Sequence, residues 1–201
     1  MATDTQAQTT PARLRPYRLS VRQYLRMIDA GVFPDNARVE LLGGILVRQM
    51  TKGTPHNFVQ IALPPALRAL VPADWLVLNE ISLLTGPRSR PEPDLMIVRG
   101  PVARFKTRDA HAADTALVVE VADSSYSSDR GRKWRLYAAA QVPIYWIIHL
   151  AKRQVEVYRD PTGTGAEAGY QTTEIYGEDA AVPVLIAEAE VGRVAVRDIL
   201  P

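Results

Sequence analysis

Asp94, Glu120 and Lys133 are the residues whose types and positions offer chemistry. Glu120 lies in the middle of Thr115-Ala-Leu-Val-Val-Glu-Val-Ala-Asp123, an apolar, partly β-branched run that reads as a strand buried on both faces. A carboxylate buried there without a partner is very costly. Asp94 opens a second short apolar run, Asp94-Leu-Met-Ile-Val98, directly after a proline, and alternation puts it on one face with Met96 and Val98. On neighbouring strands the two acids would raise each other's pKa, a conflict that a divalent cation removes. Two carboxylates with a carbonyl and water are a ligand set for Mg²⁺ or Mn²⁺, whereas zinc wants more nitrogen or sulfur.

Lys133 stands four residues after Asp129 and four before Tyr137, so the three share one helical face. Its ammonium either pairs with Asp129 on a solvated surface or reaches the acids, where it would hold a water or an oxyanion. Plainer roles exist for the acids as well. Asp94 is a common residue type at a strand start, and Glu120 could be a buried acid paired with an arginine.

The elements that must position these residues follow from pattern. Ser20 caps a helix with Val21, Tyr24, Leu25 and Ile28 on a 3.6 period, ended by Gly31. Arg38 to Met50 reads as a hairpin turning at Gly43-Gly44. Thr54 before Pro55 reads as the N-cap of a helix carrying Val59, Leu63 and Leu67, which Pro64-Pro65 should kink or interrupt. Trp75 to Leu84 is a strand or a bent pair. A helix is expected from about Ser128 to Gln141, then a hairpin of Pro143–Leu150 and Gln154–Tyr158, with Tyr170–Tyr176 as an edge strand. Residues 177–201 are weakly patterned, with apolar pieces at Val182–Ile186 and Val194–Leu200. Helix, hairpin, helix, strands, helix, strands is the order of an α/β or α+β domain around a mixed sheet.

The 201 residues carry 47% apolar side chains, enough for one sizeable core, and no cysteine, which excludes disulfides, thiolate catalysis and cysteine-ligated zinc. His56, His111 and His149 are scattered, with no i,i+4 pair, which argues against a histidine-rich metal site. Net charge is only +2 but uneven: residues 1–26 hold five arginines against one aspartate. Such asymmetry permits a polyanion partner without requiring one. No secretory leader and no membrane-length apolar run is present, so the expectation is a cytoplasmic protein with a flexible tail at residues 1–15 and a single domain over 16–201.

Five blocks in order carry a resemblance: Arg-Val-Glu40-Leu-Leu-Gly-Gly, Pro-Glu-Pro-Asp94-Leu-Met-Ile-Val, Leu-Val-Val-Glu120-Val-Ala-Asp-Ser-Ser, Asp129-Arg-Gly-Arg-Lys133, and Leu-Tyr-Ala-Ala-Ala-Gln-Val-Pro-Ile-Tyr-Trp-Ile-Ile. Over roughly residues 18–160 the chain resembles the Uma-type restriction-endonuclease family of the PD-(D/E)xK superfamily. The resemblance implies a restriction-endonuclease-like mixed β-sheet flanked by helices, with an N-terminal β-hairpin. It also implies Mg²⁺- or Mn²⁺-dependent phosphodiester hydrolysis, DNA as substrate and a homodimer. Asp94 and Glu120 match the motif's acids, with the Val121 carbonyl as a third metal ligand. The superfamily's lysine normally stands two residues beyond the second acid, where this chain has Ala122, and Lys133 matches the lysine that replaces it from the following helix. Glu40 matches a further acid, either a third carboxylate of the site or a strand-edge acid in solvent.

His56 falls where the family often has histidine, as a phosphate contact or a first-turn polar residue. Arg130, Arg132 and Arg135 are phosphate contacts or solubilising surface. Trp134, Tyr137, Tyr145 and Trp146 read as core rather than as base-stacking platforms. Two rivals share the pattern: a catalytically inactive nucleic-acid-binding module of the same fold, and a metal-dependent hydrolase of small phosphoesters. The low net charge is the main sequence argument against DNA.

Overall fold

Ser20 opens the first helix with a capping box: its hydroxyl accepts from the Gln23 N–H at 3.2 Å while its own N–H donates to the Gln23 side chain at 2.9 Å. Helix α1 (Val21–Asp29) follows and is anchored by one buried residue, Tyr24, whose hydroxyl donates to the Val39 carbonyl. Strands β1 (Val39–Leu42) and β2 (Ile45–Arg48) pair through Leu42↔Ile45 around Gly43-Gly44, both at positive φ as a two-residue primed turn requires. The computed structural model describes residues 16–34 and 36–201; the expected tail over residues 1–15 lies outside the described residues.

Helix α2 (Thr54–Arg68) is one continuous helix despite Pro64 and Pro65. Each internal proline costs about 3 kcal/mol. Val59, Leu63 and Leu67 are fully buried on the face that meets the sheet, at about 1.5–3 kcal/mol each, and that burial offsets the lost backbone bonds. The N-cap is Gly53, not Thr54, which is the first helical residue, so no side chain caps this helix. Of the strand or bent pair expected over Trp75–Leu84, the segment forms two strands, β3 (Trp75–Asn79) and the short β4 (Leu83–Leu84), which lie in different sheets.

Strand β5 (Leu95–Arg99), β6 (Ala110–His111, paired with β4) and β7 (Thr115–Ala122) lead to a helical crossover made of α3 (Tyr126–Ser128), a π-helical turn (Asp129–Lys133) and α4 (Trp134–Ala139). Then come β8 (Ile144–His149), β9 (Gln154–Thr162), β10 (Gly169–Gly177), β11 (Ala181–Ile186), β12 (Ala189–Ala195) and α5 (Val196–Ile199). The central sheet has six strands in the order β10-β9-β8-β7-β5-β3. It is mixed, since β7 and β8 run parallel and every other pair is antiparallel. Parallel neighbours need a crossover, and here the crossover is the helix carrying Lys133.

One face of the sheet packs Leu95, Ile97, Val119, Val121 and Trp146 under α2, the β11–β12 hairpin and α5. The opposite face packs Met96, Val98, Val118, Ala122, Tyr145 and Ile147 under Tyr137 and Ala138 of α4. Tyr145 and Trp146 are thus core residues, as their strand pattern implies. No helix among the described residues is long and apolar enough to cross a membrane.

The hairpin turn makes a stability test. A Cβ on Gly43 would meet nothing within 4 Å, whereas one on Gly44 would lie 2.8 Å from the Arg18 Cβ and 3.0 Å from the Leu19 carbonyl oxygen. Both positions hold left-handed backbone, so Gly43→Ala is expected to cost about 1–2 kcal/mol in urea unfolding, and Gly44→Ala at least about 1 kcal/mol more from overpacking. Equal costs would mean that residues 18–19 do not pack against this turn.

Candidate functional site

The π-helical turn sets the geometry. The sequence pattern starts an α-helix near Ser128; the helical segment begins at Tyr126 instead, and Asp129–Lys133 widen to π geometry, an arrangement frequent at functional sites. The turn is tied to the sheet by the Tyr145 hydroxyl, which donates to the Asp129 carbonyl at 3.1 Å. Asp129 and Lys133 both face inward and are buried, so the solvated Asp–Lys pair does not occur. The Lys133 Nζ donates to Glu120 Oε1 at 2.9 Å and lies 3.5 Å from Glu40 Oε1. The Tyr137 hydroxyl donates to the same Glu120 oxygen at 2.7 Å, so the shared face of Lys133 and Tyr137 read from spacing converges on this one carboxylate.

Glu40 is not a strand-edge acid in solvent. It is 4% exposed, and its Oε2 accepts from the Glu92 N–H at 3.1 Å. Asp94 sits one residue before β5, beyond the last pair Leu95↔Val119, and its Oδ2 accepts from the Val121 N–H at 2.8 Å in place of a further ladder bond. Strict alternation therefore does not govern it. Met96 and Val98 face α4, while the other Asp94 oxygen meets α2: Oδ1 accepts from Gln60 at 3.0 Å and lies 3.1 Å from His56 Nε2. Lys52, in the β2–α2 loop, donates to the same oxygen at 2.7 Å and also binds Glu80.

Glu40, Lys52, His56, Asp94, Glu120, Val121, Asp129 and Lys133 line one cleft of about 560 Å³. The sequence-expected residues Glu40, Asp94, Glu120 and Lys133 thus come together, and His56 is turned onto Asp94. Arg130 does not line the cleft; its guanidinium lies over the rings of Trp134 and Tyr158, 5.2 and 4.9 Å from their centroids. Lys52, Gln60 and Asp129 went unrecognised as members of the site. Lys52 sits in an unpatterned loop, and Gln60 is an ordinary polar residue of a helix. For Asp129 the spacing to Lys133 is the available signal, and it assigns the aspartate to a surface pair and only the lysine to the site.

The electrostatics are strained. Four buried carboxyl groups, Glu40, Asp94, Glu120 and Asp129, face the ammonium groups of Lys52 and Lys133. Burial works against the Asp94 carboxylate, but the His56 contact and the Lys52 charge outweigh it and hold Asp94 well below the usual carboxylate range. Burial pushes Glu120 well up; Lys133 opposes this, and the charges of Asp129, Asp94 and Glu40 add to it. Burial likewise pushes Asp129 up to about 6, against Lys133 and the Ser125 hydrogen bond. Burial alone would pull Lys133 down, yet Glu120, Glu40 and Asp129 keep it charged. Among the described residues, no group of three or more His, Asp or Glu side chains is arranged to hold a metal ion.

The model of a family described as "Uma2: Putative restriction endonuclease" matches residues 21–193. The chain belongs to this family. The Uma2 match spans the hairpin acid, both strand acids and the crossover lysine. Among solved structures, the crystal structure of "a putative nuclease belonging to DUF820" from Anabaena variabilis ATCC 29413 is similar over 90% of this chain and 97% of that chain, with a TM-score of 0.66 at 17% identity. That likeness establishes a shared fold. No curated protein matches the sequence.

The raised Asp129 pKa has a measurable consequence. Between the ordinary aspartate value near 4 and about 6, the folded protein holds a proton that the unfolded chain has released. Stability therefore falls as pH rises through that window, by up to about 3 kcal/mol, and is level above it. Asp129→Asn lacks the penalty, so with chelator present its stability relative to wild type should rise from pH 4 to 6 and then stay constant in urea unfolding. A difference that does not change with pH would contradict the buried placement of Asp129.

Proposed function

We propose that this Uma2 protein is a divalent-metal-dependent endonuclease that hydrolyses phosphodiester bonds in DNA. The observation that carries the reading is the Lys133 ammonium held between Glu120 and Glu40 in a cleft that Asp94 also lines. The donor set fits Mg²⁺ or Mn²⁺: hard oxygen ligands, with an excess of carboxyl over ammonium groups that a +2 ion would balance. Mg²⁺ usually keeps several waters and takes only one or two carboxylates, so a third acidic or histidine side chain is not needed. Asp94 and Glu120, with the Val121 carbonyl, would hold the ion. When bound, such an ion neutralises phosphate oxygens and makes a water available as a nucleophile near neutral pH.

The chain's own residues supply position and charge. Lys133 is fixed at the cleft wall by two carboxylates, so its one remaining N–H can orient the attacking water or stabilise charge developing on the phosphate. Tyr137 holds the Glu120 carboxylate in its rotamer, and the Val121 N–H does the same for Asp94. Attack breaks the bond from phosphorus to the leaving oxygen, which then takes up a proton. Cutting both strands of a duplex calls for two clefts, and a homodimer is part of this reading.

One observation favours a different reading. Lys52 already supplies a cation to Asp94, as a binding module without catalysis would require. Plasmid and single-stranded DNA, each with Mg²⁺, Mn²⁺ or chelator, separate the two. The wild type should cut only with metal. Asp94→Asn and Lys133→Met should each be slower by at least about 100-fold, the scale of losing one such group, with circular dichroism showing that each variant is folded at the assay temperature. Undiminished cutting by either variant would end the assignment.

A further inference from the structure

A second concavity of about 400 Å³ adjoins the cleft, and Arg132 lines both. Arg18 and Arg135 line it too, and no carboxylate does. The contrast with the cleft is sharp, since Glu40, Asp94, Glu120 and Asp129 line that wall. Elsewhere arginines such as Arg90, Arg108 and Arg153 are held by aspartate or glutamate. Among the described residues Arg18, Arg132 and Arg135 have no carboxylate partner, and Arg18 makes a single hydrogen bond, to the Gly43 carbonyl at 3.2 Å. All three are exposed. Three elements far apart in sequence bring this charge together: the segment before α1, the β1–β2 turn beneath it, and the crossover helix.

From this continuity and charge we infer that the groove seats the DNA phosphate backbone beside the bond being cut, the strand passing from the cleft over Arg132 to Arg135 and Arg18. The inference rests on the nuclease reading and adds to it a direction for the strand. Guanidinium groups suit the task, because each offers paired donors to phosphate oxygens. It also accounts for how a chain of net charge +2 would bind a polyanion, by concentrating unpaired cations on one path. A substrate too short to leave the cleft would gain nothing from the groove.

The test compares wild type with Arg18→Gln/Arg135→Gln, both at exposed positions, and with Arg193→Gln/Arg197→Gln, which removes the same charge elsewhere. Binding of a fluorescent 30-base-pair duplex is followed by anisotropy from 50 to 200 mM salt, alongside hydrolysis of bis(p-nitrophenyl) phosphate. The groove variant should bind about tenfold more weakly, with a log–log salt slope shallower by about 1.8, two phosphate contacts at about 0.9 each. Its hydrolysis of the small diester should match wild type, and the control pair should keep the wild-type slope. A groove variant with the affinity and slope of the control pair overturns the inference while leaving the nuclease reading standing. A wild type that binds no duplex overturns the inference, and one that also cuts neither plasmid nor single-stranded DNA overturns the nuclease reading.

Discussion

The ammonium of Lys133, buried between Glu120 and Glu40, is the interaction on which the site depends. A charged amine taken out of water costs several kcal/mol unless opposite charge and hydrogen bonds meet it. Here the partners come from separate elements, Glu120 from a central strand and Glu40 from the hairpin, while Tyr137, on the same helical crossover as the lysine, donates to the Glu120 carboxylate. The contact therefore joins the hairpin, the sheet and the crossover at one point. Asp94 joins from the adjoining strand through the Val121 N–H, one residue along from Glu120. Removing the lysine would leave carboxylates that burial already disfavours, so the amine that the proposed chemistry needs also holds the pocket together.

The π-helical turn explains how a helix replaces a strand residue. The position two residues past Glu120 is Ala122, fully buried against the α4 face and too small to carry charge. The amine instead reaches Glu120 from across the crossover. Widening the helix over Asp129–Lys133 puts both residues inward, while Tyr145 takes up the Asp129 carbonyl. The turn also buries a carboxyl next to the lysine, which accounts for the raised Asp129 pKa and for the surplus of acid in the cleft.

Much of the architecture was legible because pattern and burial agree. Thr115–Ala122 and Ile144–His149 are continuous apolar runs, and both are fully buried strands. The Gly43-Gly44 turn and the Ser20–Gln23 cap were readable from chemistry local to a few residues. Even the C-terminal stretch carries its alternation, since Val182, Val184 and Ile186 are the buried positions of β11. What local pattern does not hold is contact between distant segments. Glu40 lies in a four-residue strand whose period cannot separate solvent from site, and its burial is decided by Glu92 and Lys133. Lys52 and Gln60 gain their meaning only from Asp94, which is far away in sequence. Thr54 loses the cap to Gly53 although its residue type favours the position, and the geometry shown supplies no further reason.

The proposed nuclease needs Asp94 and Glu120 to hold a divalent cation beside Lys133. Isothermal calorimetry with Mn²⁺ tests it without any need for turnover. One site per chain is expected in the wild type, and its loss in Asp94→Asn, with circular dichroism showing that the variant is folded. Equal Mn²⁺ binding by the two proteins, or none by the wild type, would contradict it.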